Sequence, residues 1–376
     1  MNSLTYSQSG VNYSVMDPLK QLAQIQGKKT GHQLKTAGFS EVGASRGESA
    51  YVVDAGNHYL AFVQEGLGTK NLVADEMQKI TGKSYYDSIA QDTVAMIVND
   101  LITVGAKPLT ILAYWAVGSS SWFSNQARNN DLVVGWSHAC EKAGASWGGG
   151  ETPTLSGVIN KKTIDLAGSA VGIVKPKQRL VLGEKLQAGD VIVAFESSGI
   201  HANGVTLARK LAEKLPDGYA TKMDSGPFDS AQGKQMYGEV LLTPTIIYAK
   251  LVHDLLDAGV DIHYMVNITG HGWRKLMRSS QLFTYRITQL PPVPEVFRLI
   301  QEKGPVSKEE MYANFNMGAG YAIFVPGNFE TTIKNIASQN NIKTYEVGVV
   351  EAGEKQVILE PKKITFKADS LQVKAS

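Results

Sequence analysis

The stretch DVIVAFESSGIHANGVTLARKL, Asp190 to Leu211, constrains the fold more than any other part of the chain. Its opening "VIVAF" is a continuous apolar run of strand length. Its end, "VTLARKL", places Val205, Ala208 and Leu211 at helical spacing. Between them "SSGIHANG" holds two serines, two glycines, a histidine and an asparagine. A buried strand passing through a tight polar turn into a helix belongs to a layered fold of sheet and helix.

The rest of the chain repeats that alternation. "AYVVDA" and "HYLAFVQEG" read as strands joined by a hairpin through "GNH". "SIAQDTVAMIVNDLITVGA" reads as a long apolar helix closed by Gly105. "LTILAYWAVG" and "KKTIDLAGSAVGIV" are strand candidates, with the helix "DLVVGWSHACEKAGA" between them. Near the start, "DPLKQLAQIQ" predicts a helix begun by Asp17 and Pro18. "KKTGHQLKTAGFSEVGASRGES" reads as a mobile loop, "PDGYATKMDSGPFDSAQGK" as a polar loop and "KADSLQVKAS" as a loose tail. The fold class is therefore α+β or mixed α/β. The apolar pattern lapses near "VKPKQRLVLGEKLQAGD", which divides the chain into domains 1–174 and 175–365, with a tail over 366–376.

Composition narrows the function. A formal charge of +2 makes no case for nucleic acid or an anionic membrane as partner. The single cysteine, Cys140, excludes an internal disulfide and reads as a structural thiol. No run is long enough to span a membrane and the N-terminus lacks a signal-peptide pattern, which fits a reducing cytoplasm.

Four glycine-centred turns carry the chemistry: "QEGLGTK" (64–70), "WGGGETPTLSG" (147–157), "SSGIHANG" (197–204) and "ITGHGW" (268–273). Glycine lets backbone N–H groups converge on anionic oxygens. None has Walker spacing and none is a dinucleotide fingerprint. Acidic residues accompany them: Glu65, Asp92, Asp100 with Asn99, and Glu151. Asp92 and Asn99, seven apart, share one face of a helix. Such oxygen ligands suit magnesium beside substrate phosphates, although Asp92 reads equally well as a helix cap. His201 is either a solvated turn residue or, with Ser198, Asn203 and Gly204, a cap over an anionic or amide-bearing substrate.

Taken in order, "YSQSGVNY", "EGLGTK", "DTVAMIVNDLITVGAKPL", "GGETPTLSG", "SSGIHANGVTLARKL", "LLTPTIIY", "NITGHGW" and "MYANFNMGAGYAIFVP" resemble aminoimidazole ribonucleotide synthetase, the phosphoribosylformylglycinamidine cyclo-ligase family. The resemblance spans residues 6 to about 326. It implies two α/β-type domains, the first giving strands to a barrel shared by a homodimer. It implies ATP and Mg2+ acting on the amide of a small ribonucleotide, in the cytoplasm. It places Gly66, Gly68, Thr69, Lys70, Asn99, Asp100, Gly149 and Gly150 at ATP, and Glu65, Asp92 and Glu151 at the metal. Ser198, His201, Asn203, Gly204, Thr269, Gly270 and Gly272 would hold substrate, with His201 and Lys70 catalytic. The chain departs from the pattern at Glu65 for aspartate, Asn12 in "GVN", "GASRGES", and "TGHG" with His271 and the altered residues after it. Those departures leave open a related phosphotransferase acting on another acceptor, or a binding module that keeps the pocket.

Overall fold

The computed structural model describes residues 10, 13–223 and 235–374, with backbone only at 13 and 14. Asn12 and most of "YSQSGVNY" lie outside the described residues, as does 224–234 of the polar loop. The first half runs α1 (Tyr13–Lys28), β1 (Ser40–Glu41), β2 (Tyr51–Asp54), β3 (Tyr59–Gly66), α2 (Lys70–Thr81) and α3 (Tyr86–Leu101). It continues with β4 (Lys107–Val117), α4 (Gln126–Ala143), β5 (Ser146–Glu151) and β6 (Ile164–Val174). These strands form one sheet in the order β1-β2-β3-β6-β4-β5.

The second half opens with β7 (Val191–Glu196), α5 (Val205–Ala212), α6 (Tyr237–Leu241), α7 (Ala249–Asp257) and β8 (Tyr264–Asn267). Next come β9 (Phe283–Ile287), α8 (Glu295–Lys303), α9 (Lys308–Asn314) and β10 (Ala319–Val325). It ends with α10 (Glu330–Gln339), β11 (Thr344–Ala352), β12 (Gln356–Leu359) and β13 (Ile364–Lys367). Its sheet is ordered β13-β12-β9-β11-β7-β10-β8. The fold is thus mixed α/β. No helix among the described residues is long and apolar enough to cross a membrane.

Local chemistry explains the layers. Along β6 burial alternates strictly, so one face packs on α3. The other face of that sheet leaves Phe62, Leu109 and Leu112 exposed. Almost every residue of α3 is buried, polar ones included, because it lies between the first sheet and the second half. Gly105, at φ 78°, ends the short turn after α3 in the left-handed conformation that glycine adopts without strain. One apolar cluster joins Val52 and Ile97 to Leu207, Met311 and Phe366, so the halves share a core.

Three local expectations change. "WGGGE" is an edge strand, not a turn: a Cβ on Gly150 would lie 2.2 Å from the Ala113 carbonyl, so glycine permits the close β4–β5 approach. The stretch 28–49 is ordered by short helical turns, by the Arg46–Glu41 ion pair and by Arg46 donating to the Gly27 carbonyl. The expected loose tail is also held. Gln21 Nε2 donates to Gln372 O at 2.9 Å, Gln24 Nε2 to Val373 O at 2.8 Å, and Lys374 pairs with Glu48.

Candidate active site

A cavity of about 390 Å³ opens between the two halves. One wall brings Glu65 from the end of β3 and Asp100 from α3. The opposite wall is Thr269, Gly270, His271 and Lys275, on the turn and short helix after β8. Asn203, from the glycine turn before α5, lines it too, and Lys20 and Gln24 close it from α1.

The walls differ in charge. Burial first, then the Asp100 carboxylate, pushes Glu65 up to about 7, with Lys275 and Arg278 opposing. Asp100 Oδ1 accepts from Asn267 Nδ2 at 2.7 Å, joining α3 to β8. On the far side Lys275 is buried and donates to Thr269 Oγ1. Burial, helped by Lys275, Arg274, Lys20 and Arg278, drives His271 down to about 2, so its imidazole is neutral. Arg278 spends its guanidinium on Gly47 O at 2.8 and 3.1 Å and Ser49 Oγ at 3.0 Å, pinning the 47–49 loop.

Of the residues singled out in the sequence, Glu65, Asp100, Asn203, Thr269 and Gly270 meet in this cavity. The turn Gly66, Gly68 and Thr69 follows Glu65 directly, and Thr69 Oγ1 lies 3.1 Å from Thr206 Oγ1. Gly272, at φ 51°, sits against the Tyr312 and Ala313 backbone, and Gly204, at φ 80°, against the Phe315 ring. Both glycines therefore set the backbone rather than line the cavity.

The remaining ones have protein partners in this structure and do not line the cavity. Lys70 and Asp92 are wholly buried and paired at 2.7 Å, with neither on the cavity wall. Lys70 donates to Thr243 O at 2.9 Å, while Asp92 Oδ1 accepts from Thr245 N and Oγ1. Asn99 donates to Ile246 O at 2.8 Å and accepts from Tyr248 N at 3.0 Å. Ser198 Oγ donates to Pro244 O at 2.6 Å. These four residues therefore fasten the segment 243–248, whose backbone groups are outside any sheet and need partners. Asp92 and Asn99 do share a face, but a peptide segment occupies it.

His201 is buried, its Nε2 accepting from Ser198 N at 3.1 Å, and burial with the Lys70 charge lowers it to about 3. It braces its own turn. Gly149, Gly150 and Glu151 lie across the sheet, where the pairings Glu65–Gly168, Gly168–Ala113 and Ala113–Gly150 span three strand spacings. That is about 14 Å. Sequence reasoning missed Lys20 and Lys275; the run "WRKLMR" after the glycine turn was the available signal.

Which residues could hold a metal follows from the donors. Among the described residues no three His, Cys, Asp or Glu side chains gather round one point. Glu65 and Asp100 are two carboxylates on one wall, and after burial it is the Asp100 charge that most disfavours ionisation of Glu65. Magnesium, which uses one or two carboxylates and completes its shell with water and phosphate oxygens, fits that pair.

Residues 47–174 match the model of the AIR synthase related protein N-terminal domain, and 187–360 that of its C-terminal domain. The chain belongs to the AIR synthase related family. Among its AIR synthase relatives, the phosphoribosylformylglycinamidine cyclo-ligase of Carboxydothermus hydrogenoformans is 37% identical over 366 residues, 96% of this chain and 99% of that one. Thiamine-monophosphate kinase from Stenotrophomonas maltophilia superposes at TM-score 0.57 with 16% identity, over 84% of this chain and 90% of that one. T. maritima PurL complexed with ADP superposes at 0.53 with 16% identity, over 87% of this chain and 46% of that one. These two likenesses establish a shared fold and no more.

Proposed function

We propose that this AIR synthase family member is an ATP-dependent cyclo-ligase, converting formylglycinamidine ribonucleotide to aminoimidazole ribonucleotide, ADP and phosphate. The observation that carries the reading is a single cavity with a two-carboxylate wall, Glu65 and Asp100, facing a basic one at Lys275. The near full-length cyclo-ligase relative supports the acceptor, and a fold neighbour complexed with ADP supports the nucleotide.

In this reading the acceptor's amide oxygen attacks the γ-phosphorus of ATP and ADP leaves. The ring-forming nitrogen then attacks the activated carbon, and phosphate departs with the former amide oxygen while the nitrogen gives up a proton. Glu65 and Asp100 would hold Mg2+, which when bound neutralises charge on the phosphates. Asn203, Thr269 and Gly270 orient the acceptor, and the enclosing walls keep water from the activated amide. Lys70, Asp92, Asn99 and Ser198 act indirectly, by fixing the segment that joins the halves.

The exposed face of the first sheet supports a homodimer. Tyr51, Phe62, Leu112 and Val171 line a mostly apolar hollow of about 330 Å³ there. Solvent-facing apolar surface of that kind is covered when copies pair. A cytoplasmic location goes with this reading.

The test is incubation of the purified protein with ATP, Mg2+ and formylglycinamidine ribonucleotide. Aminoimidazole ribonucleotide and ADP in equal amounts are expected. ADP without the imidazole product would make the protein a phosphotransferase for another acceptor, a reading that His271 in the wall favours. Neither product would make it a binding module.

A further inference from the structure

Asn99 and Asp100 are consecutive on α3, about 100° apart round the helix, and each reaches a different part of the second half. Asn99 holds the segment 243–248 through Ile246 and Tyr248. Asp100 turns to β8 instead. Among the described residues its carboxylate accepts one hydrogen bond, from Asn267 Nδ2 to Oδ1 at 2.7 Å. An ionised carboxylate can only accept, so the amide turns its NH2 group that way.

Asn267 is a fixed point. It ends β8, is 3% exposed, and pairs in register with Tyr321 of β10. The next residue is tied as well, Ile268 N donating to Gly320 O at 3.0 Å. Beyond it Thr269 and Gly270 line the cavity. The terminal torsion of an aspartate is broad and two-fold, so a carboxylate without a partner swings. With Oδ1 held against a rigid strand, Asp100 keeps Oδ2 for the cavity that it lines. Glu65, the other carboxylate of that wall, has the Gly66 backbone N–H as its donor and, among the described residues, no side-chain donor.

We propose that Asn267 is a positioning residue for the cation of the site: by occupying Oδ1 it assigns Asp100 Oδ2 to the metal and fixes where that oxygen stands. The inference rests on reading Glu65 and Asp100 as the wall that holds Mg2+. Asp100 is then the oriented ligand and Glu65 the adaptable one. Partners of this kind govern cation affinity without touching the cation, and losing one typically costs roughly ten- to a hundredfold.

The test is Mn2+ binding to the nucleotide-free protein, with the free ion counted by electron paramagnetic resonance. Mn2+ takes the same kinds of oxygen ligand as Mg2+. Asn267→Ala should bind Mn2+ roughly ten- to a hundredfold more weakly than the wild type. Asn267→Ser, whose hydroxyl falls short of Asp100, should lose as much, and it serves where Asn267→Ala does not fold. In turnover the Mg2+ concentration for half-maximal rate should rise by the same factor. Excess Mg2+ should then restore most of kcat, which a general loosening of the fold would not allow. Asp100→Asn should also bind Mn2+ weakly, and adding Asn267→Ala to it should cost nothing further, because Asn267 acts through Asp100. Wild-type affinity in Asn267→Ala and Asn267→Ser, or an additive loss in the double variant, overturns the inference; binding that still depends on Asp100 then leaves the cation wall standing. Asn267-dependent binding in a protein that makes no imidazole product upholds the inference and removes the cyclo-ligase reading instead. A wild type that takes up no Mn2+ overturns the inference together with the cation wall.

Discussion

Lys70 and Asp92 are both fully buried, and burial opposes the charge on each while the partner's charge supports it. Removing one partner strands the other, so Lys70→Met should destabilise the fold by about 3–5 kcal/mol, and replacing both with apolar residues should recover much of it. Urea unfolding checks this. A Lys70→Met protein with unchanged stability and lost nucleotide binding would return Lys70 to the phosphates. The buried histidines give a pH prediction with a definite sign. From an ordinary value of 6.5, His201 is lowered to about 3 and His271 to about 2. The unfolded chain takes up protons near 6.5 that the folded chain refuses. Their contribution is therefore complete above that value and lost as the pH falls toward 3 and 2, by up to about 1.4 kcal/mol per pH unit each. His201→Asn, which keeps an acceptor for the Ser198 N–H, should make the urea midpoint fall less steeply between pH 6.5 and 4. An unchanged slope would mean that His201 is protonated in the fold.

At the scale of elements, the strut 243–248 is the joint of the molecule, held by Lys70, Ser198, Gln91, Asp92 and Asn99. Asn99→Ala leaves the Ile246 carbonyl and the Tyr248 N–H without their partner, a cost of about 1–3 kcal/mol for each buried group. Amide exchange of 245–248 should accelerate while that of β6 stays unchanged; uniform acceleration would show that Asn99 supports the whole fold instead. Elements with a strong period were legible before folding. The strand candidate "KKTIDLAGSAVGIV" became β6, and the apolar run up to Gly105 became α3 and the turn that ends it. Elements fixed by distant contacts were not. Nothing local in "WGGGE" tells a turn from an edge strand admitted by missing side chains, and nothing local in "SLQVK" tells that its carbonyls bind glutamines of α1. The polar side of α1 misleads in the same way, since it faces a cavity that the helix itself helps to close.

For the whole molecule, the exposed Phe62 and Leu112 predict that Leu112→Glu yields a monomer in sedimentation experiments where the wild type is a dimer; a monomeric wild type would refute the shared interface. The site was half legible. Glu65, Asp100, Asn203, Thr269 and Gly270 stand beside glycine turns or on the α3 face and could be picked out one by one. Lys20 and Lys275 could not, because two lysines more than two hundred positions apart come to line one cavity only when α1 crosses the gap between the halves. The Lys70, Asp92 and His201 group was visible in the sequence but its partners in the fold were not, since buried polar side chains gather at structural joints as well as at reaction centres. The most direct measurement is product formation from ATP and formylglycinamidine ribonucleotide by the wild type and by Asp100→Asn, with thermal stability followed in parallel. The wild type should form aminoimidazole ribonucleotide, and Asp100→Asn should lose roughly a hundredfold or more in rate at little cost in melting temperature. An Asp100→Asn protein that turns over as fast as the wild type would contradict placing the reaction in this cavity.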